Sequence, residues 1–97
     1  AAGCNDLDEA SCRTLIERYS PESPRIFLDP LVWAPDELPP CLYVKTLQDR
    51  TVLPPIQDLM IARAKPKRVE TLQAGHMPMF AEPHGLAAIL NDFASSL

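Results

Sequence analysis

Two β-favouring runs joined through a helix-forming stretch constrain this chain more than any other feature. Cys41-Leu42-Tyr43-Val44-Lys45-Thr46-Leu47 lies between Pro39-Pro40 and Gln48-Asp49-Arg50, the pattern of a buried strand entering a loop. Val69-Glu70-Thr71-Leu72-Gln73 is the second run and leads into Ala74-Gly75-His76. Between them Pro54-Pro55 opens a helix, because proline in a first turn lacks only a donor that would be orphaned anyway. Ile56, Leu59 and Met60 mark its inner stripe, and Lys65-Pro66-Lys67 closes it. After a short irregular segment bracketed by Pro78 and Pro83, Leu86, Ile89, Leu90, Phe93 and Leu97 recur at helical spacing. Strand, helix, strand, helix predicts an α/β fold with parallel strands covered by helices. Asp49 and His76 then fall at C-terminal strand ends, where open α/β sheets bind ligands.

The first 40 residues are less regular. Asp6-Leu7-Asp8-Glu9 offers an N-cap at Asp6 with Glu9 three residues on, and Cys12, Leu15, Ile16 and Tyr19 follow at helical spacing, predicting a helix over 7–19. Ser20-Pro21-Glu22-Ser23-Pro24 ends it. Residues 25–40 mix Ile26, Phe27, Leu28, Leu31, Val32 and Trp33 with prolines, which reads as an irregular or partly helical layer packed on something else.

Composition narrows the function classes. A net charge of -4 gives no attraction to phosphate backbones or anionic lipid, so neither nucleic acid nor a membrane is an expected partner. No apolar stretch approaches a membrane span and the first residues lack signal-peptide character, so the chain is expected to be soluble and cytoplasmic. Cys4, Cys12 and Cys41 match no zinc pattern and do not resemble a disulfide framework, which predicts structural or free thiols. His76 and His84 have no cluster of ligands around them, so no metal and no cofactor is expected. His84, behind Pro83 at a helix start, reads as solvated or capping, and the basic residues Arg63, Lys65, Lys67 and Arg68 as a solvated face.

A carboxylate bonded to one ring nitrogen of histidine fixes the tautomer and leaves the other nitrogen to accept a proton from a nucleophile. Asp49 and His76 have the residue types and strand-end positions for that work, although an ordinary turn cap and a hydrogen-bonded histidine fit the spacing too. The stretch from Tyr43 through Gln48-Asp49-Arg50-Thr51-Val52-Leu53-Pro54-Pro55-Ile56-Gln57, followed by Gln73-Ala74-Gly75-His76-Met77-Pro78-Met79-Phe80, resembles the α/β-hydrolase group of plant methyl esterases, polyneuridine aldehyde esterase and hydroxynitrile lyases. The resemblance covers residues 41–97, and residues 1–40 resemble the group's helical cap only loosely. It implies that Asp49 is the acid and His76 the general base of a Ser-His-Asp triad. Hydroxynitrile lyases of the group carry lysine after the histidine; Met77 stands there in this chain, as in the esterases. Met77, Trp33 and Phe27 are candidate substrate-binding residues, with core or cap packing the competing explanation.

One departure from the group decides what the chain can do alone. There is no Gly-x-Ser-x-Gly nucleophile elbow, and the serines at 11, 20, 23, 95 and 96 fall in helices, a proline loop or the tail. The expectation is therefore the C-terminal portion of an α/β-hydrolase: residues 1–40 as part of the cap or lid, residues 41–97 as the last parallel strands and helices of the core. It is completed by an N-terminal chain that bears the serine and the oxyanion hole. Such a chain is either severed within the cap with both pieces still docked, or shortened deliberately. Combined with that partner it is expected to hydrolyse small-molecule carboxylic esters. A lyase or biosynthetic enzyme of the same fold is the alternative, and a non-catalytic binding or structural remnant the alternative of another class.

Overall fold

The computed structural model describes residues 2–32 and 34–97. After a 3-10 turn at Ala2–Cys4, helix α1 spans Glu9–Arg18 and a single helical turn, α2, spans Arg25–Leu28. A second 3-10 turn at Pro35–Glu37 precedes strand β1 (Leu42–Thr46) and helix α3 (Pro54–Ala64). Strand β2 (Arg68–Leu72), the short helix α4 (Pro78–Ala81) and helix α5 (Pro83–Ser95) complete the chain.

The expected alternation from residue 41 onward is what forms. β1 and β2 pair in parallel, with Leu42 opposite Arg68 and Thr46 opposite Leu72. α3 begins with proline in its first turn and ends where Lys65 takes a left-handed conformation, φ 51°, its N–H returning to the Ile61 carbonyl; Pro66 then prevents continuation. α5 packs on β2, where Arg68 bonds Asp92 at 2.8 Å and lies 5.5 Å from the Phe93 ring centre. Arg68 therefore departs from the expectation of a fully solvated basic face, since the aromatic ring and the carboxylate hold it.

The N-terminal part differs from expectation in three respects. Asp8, not Asp6, caps α1: its extended backbone lets the carboxylate accept the Ser11 amide at 2.7 Å. Asp6 is engaged elsewhere, against Gly75. Nor are all three cysteines thiols. Cys4 and Cys12 form a disulfide, because the turn at residues 2–4 folds back onto α1 and brings their Cα atoms to 5.7 Å, while Cys41 is free. The segment bracketed by Pro78 and Pro83 is not irregular; its first residues wind into α4, with Pro78 in the first turn where its missing N–H is harmless.

The apolar surface is unevenly covered. Among the described residues only Cys4 and Ala74 are buried hydrophobics, while Phe27, Leu28, Leu31 and Val32 stand largely in solvent, Val32 at 99% exposure. The chain exposes 7221 Å², roughly 1,700 Å² more than the surface–mass relation for folded monomers gives at this mass. Its radius of gyration of 15.0 Å likewise exceeds the roughly 12.5 Å of a compact domain this long. The expected packing of residues 25–40 on another layer is not met within the described residues.

Candidate functional site

Continuation of the parallel pairing past both strands builds the site. Leu47 N–H donates to the Leu72 carbonyl at 3.0 Å, and Gln48 N–H to the Ala74 carbonyl at 3.0 Å. These bonds carry the turn after β1 against the turn after β2. Ala74 is fully buried between them, and Asp49 and His76 emerge side by side.

Asp49 is 5% exposed and held at both carboxylate oxygens. Oδ1 accepts the Thr51 and Val52 amides at 2.8 and 2.9 Å, and Oδ2 accepts the Thr46 hydroxyl at 3.0 Å and lies 3.1 Å from His76 Nδ1. Burial by itself pushes the Asp49 pKa up. The bonds from Val52, His76, Thr51 and Thr46 outweigh it, and the net direction is downward. An ionised carboxylate can only accept, so the facing Nδ1 must carry the proton of the imidazole. Nε2 then presents a lone pair. No hydrogen-bond partner falls to it among the described residues, and the His76 side chain is 35% exposed.

Gln57 fixes this arrangement from below. Only 2% exposed, it donates through Nε2 to the Thr46 and Val52 carbonyls at 2.8 and 2.9 Å and accepts the Thr46 amide at Oε1 at 2.9 Å. One side chain on α3 thus satisfies the end of β1 and the turn that shapes the Asp49 environment. Gln57 belongs to the quoted motif, but its spacing from Asp49 carries no sign of this bonding. Sequence marks Thr46 only as a strand residue, and no local pattern singles out its hydroxyl.

The ring of His76 borders a cleft lined by Gly3, Cys4, Leu15, Ile16, Tyr19 and Thr51. The apolar wall beside the histidine is therefore formed by Leu15 and Ile16 of α1 with Tyr19, the residue that caps its C-terminus, all three marked by helical spacing in the sequence. Phe27 is not in that wall; it sits exposed on α2. Met77 directly follows the histidine, partly buried, at the start of α4. Trp33 lies outside the described residues, and His84 is exposed on α5.

Comparison of the sequence with known proteins relates the chain to one of them. The chain is 40% identical over 62 residues to Methylesterase 17 of Arabidopsis thaliana. The likeness is to an esterase. The match takes in 64% of this chain and 22% of that protein, so the chain spans about a fifth of its relative's length. No family model matches. The mixed α/β architecture with its small parallel sheet fits a part of an α/β-hydrolase, and the methylesterase likeness relates the chain to hydrolases. No described helix is long and apolar enough to cross a membrane.

Proposed function

We propose that this chain supplies the acid and the general base of a Ser-His-Asp carboxylic ester hydrolase whose serine and oxyanion hole reside on a separate N-terminal chain. The observation that carries the reading is the 3.1 Å contact between His76 Nδ1 and a buried, multiply bonded Asp49, which leaves Nε2 unpartnered among the described residues. In that reading His76 takes the proton of the attacking serine at Nε2, and Asp49 holds the ring and stabilises the imidazolium. The same histidine returns the proton to the leaving alcohol and later activates the water that releases the acid. Residues 41–97 belong to the hydrolase core and residues 1–40 to its cap. Met77 in place of lysine after the histidine favours ester hydrolysis over cyanohydrin cleavage, and the methylesterase likeness makes a methyl ester the first substrate to try.

The test is reconstitution. This chain alone is expected to show no esterase turnover; combined with a complementing N-terminal chain that bears a Gly-x-Ser-x-Gly elbow, it is expected to hydrolyse methyl esters. His76→Ala should then lower kcat by ~10³–10⁴ or more, and Asp49→Asn by a comparable factor, because either change removes the activated base. Full turnover retained by reconstituted His76→Ala would overturn the proposal.

A further inference from the structure

Two consecutive residues at the start of the chain reach over both turns that carry the acid and the histidine. Asn5 donates through Nδ2 to the Gln48 carbonyl at 3.0 Å, one residue before Asp49. The Asp6 carboxylate accepts the Gly75 amide, one residue before His76. The approach is close enough to dictate the residue at 75. A Cβ there would lie 2.8 Å from Asp6 Cγ and 3.1 Å from Asn5 Oδ1. Gly75 has no positive φ, so the lack of a side chain answers to this contact and not to backbone conformation.

Holding the segment there has a cost. Asn5 Oδ1 and Asp6 Oδ1 are buried without a hydrogen-bond partner among the described residues, an arrangement that persists only where other contacts enforce it. The Cys4–Cys12 disulfide supplies such enforcement, since it ties the residue just before Asn5 to α1.

The geometry points to Asn5 and Asp6 as positioning residues that clamp the two turns together and set the Asp49–His76 hydrogen bond, with the Cys4–Cys12 disulfide anchoring the clamp. Without it the sheet still holds Gln48 to Ala74, but the last residues before the acid and before the histidine lose their shared brace. The ring of His76 is then released from one tautomer. This rests on the acid–base reading of the pair, yet its test needs no turnover.

The measurement is ¹⁵N NMR of the His76 ring in the 97-residue chain, at a pH well above the ordinary imidazole range, together with hydrogen exchange of the Gly75 amide. Wild type is expected to hold the Nδ1–H tautomer and a protected Gly75 amide. Asp6→Ala should speed Gly75 exchange by about tenfold, the effect of losing one hydrogen bond of ordinary strength, and shift the ring shifts toward a tautomer mixture. Asn5→Ala should shift the ring in the same sense. Asp6→Asn keeps an acceptor oxygen and should restore the wild-type ring pattern, which a merely structural loss of charge would not do. Gly75→Ala displaces the clamp without touching either clamp residue, and it replaces Asp6→Ala if that variant loses its amide dispersion. A wild-type ring already in a tautomer mixture, an unprotected wild-type Gly75, or a wild-type ring pattern in Asp6→Ala and Asn5→Ala each overturns the proposal. Should reconstituted His76→Ala keep its turnover while these shifts occur as expected, the hydrolase reading falls and the clamp stands.

Discussion

Asp49 shows how a buried carboxylate is kept charged. Burial opposes ionisation, but two backbone amides, a hydroxyl and the imidazole converge on it, and the balance lies below the ordinary carboxylate pKa. A depressed folded-state pKa contributes stability that is present above the unfolded value of ~3.9 and is lost as pH falls through the folded value. Acid titration of the wild-type chain should therefore show a loss of stability below the ordinary carboxylate range, and Asp49→Asn should flatten it. Urea midpoints at several pH values read this directly; an unchanged acid limb in the variant would assign the loss to other carboxylates, of which Asp8 at the α1 cap is the nearest rival. Gln57 makes a second case. Gln57→Leu conserves bulk but strands the Thr46 amide and the Val52 carbonyl and leaves the Thr46 carbonyl only its 3.4 Å bond from the Asp49 amide, which at ~1–3 kcal/mol per unpaired buried group predicts a loss of at least about 2 kcal/mol. The urea midpoint should fall at constant slope, and Gln57→Glu, which keeps only the acceptor, should fall between the two.

At the level of elements, α3 and the two strands are locally specified and mutually bonded, whereas α1 is not. No residue of α1 is buried, and its contribution to the site depends on the Cys4–Cys12 link and the cleft it forms with His76. Closing so short a loop should stabilise the folded chain by about 2–3 kcal/mol in the chain-entropy model. Cys12→Ser is expected to lose that much in a urea titration, and adding a dithiol reductant should lower wild type to the level of the variant without affecting the variant itself. Equal stability of oxidised and reduced wild type would mean that the bond tethers α1 without supporting the rest of the fold.

For the whole molecule the excess surface is the governing quantity. A two-stranded sheet has two open edges, and isolated pairs of strands are marginal in water. Together with the uncovered apolar side chains of residues 26–32, this predicts strong binding of an apolar dye such as ANS by the chain alone, and concentration-dependent self-association in sedimentation. Docking of the proposed N-terminal chain should suppress both. A monodisperse chain that binds no dye would show that its apolar faces find cover within the molecule.

Much of the core architecture was legible before any coordinates. Strand, helix, strand, helix follows from local pattern: β-favouring runs bounded by proline and polar turns, proline in a helix's first turn, a periodic apolar stripe on α5. The same patterns place Asp49 and His76 at strand ends, and the helical spacing of Leu15, Ile16 and Tyr19, which wall the cleft, is visible as well. Local pattern ends there, because each remaining feature joins residues far apart in the chain. The register that brings Gln48 to Ala74 and so sets the acid beside the histidine, the bonding of Gln57 to Thr46 and Val52, the Cys4–Cys12 pairing and the reach of Asn5 and Asp6 over both turns exist only once the chain has folded. Residue types and periodicity determined which groups this protein carries and on which elements; only tertiary structure decided which of them meet, because hydrogen bonds act over about 3 Å and sequence distance does not encode that separation.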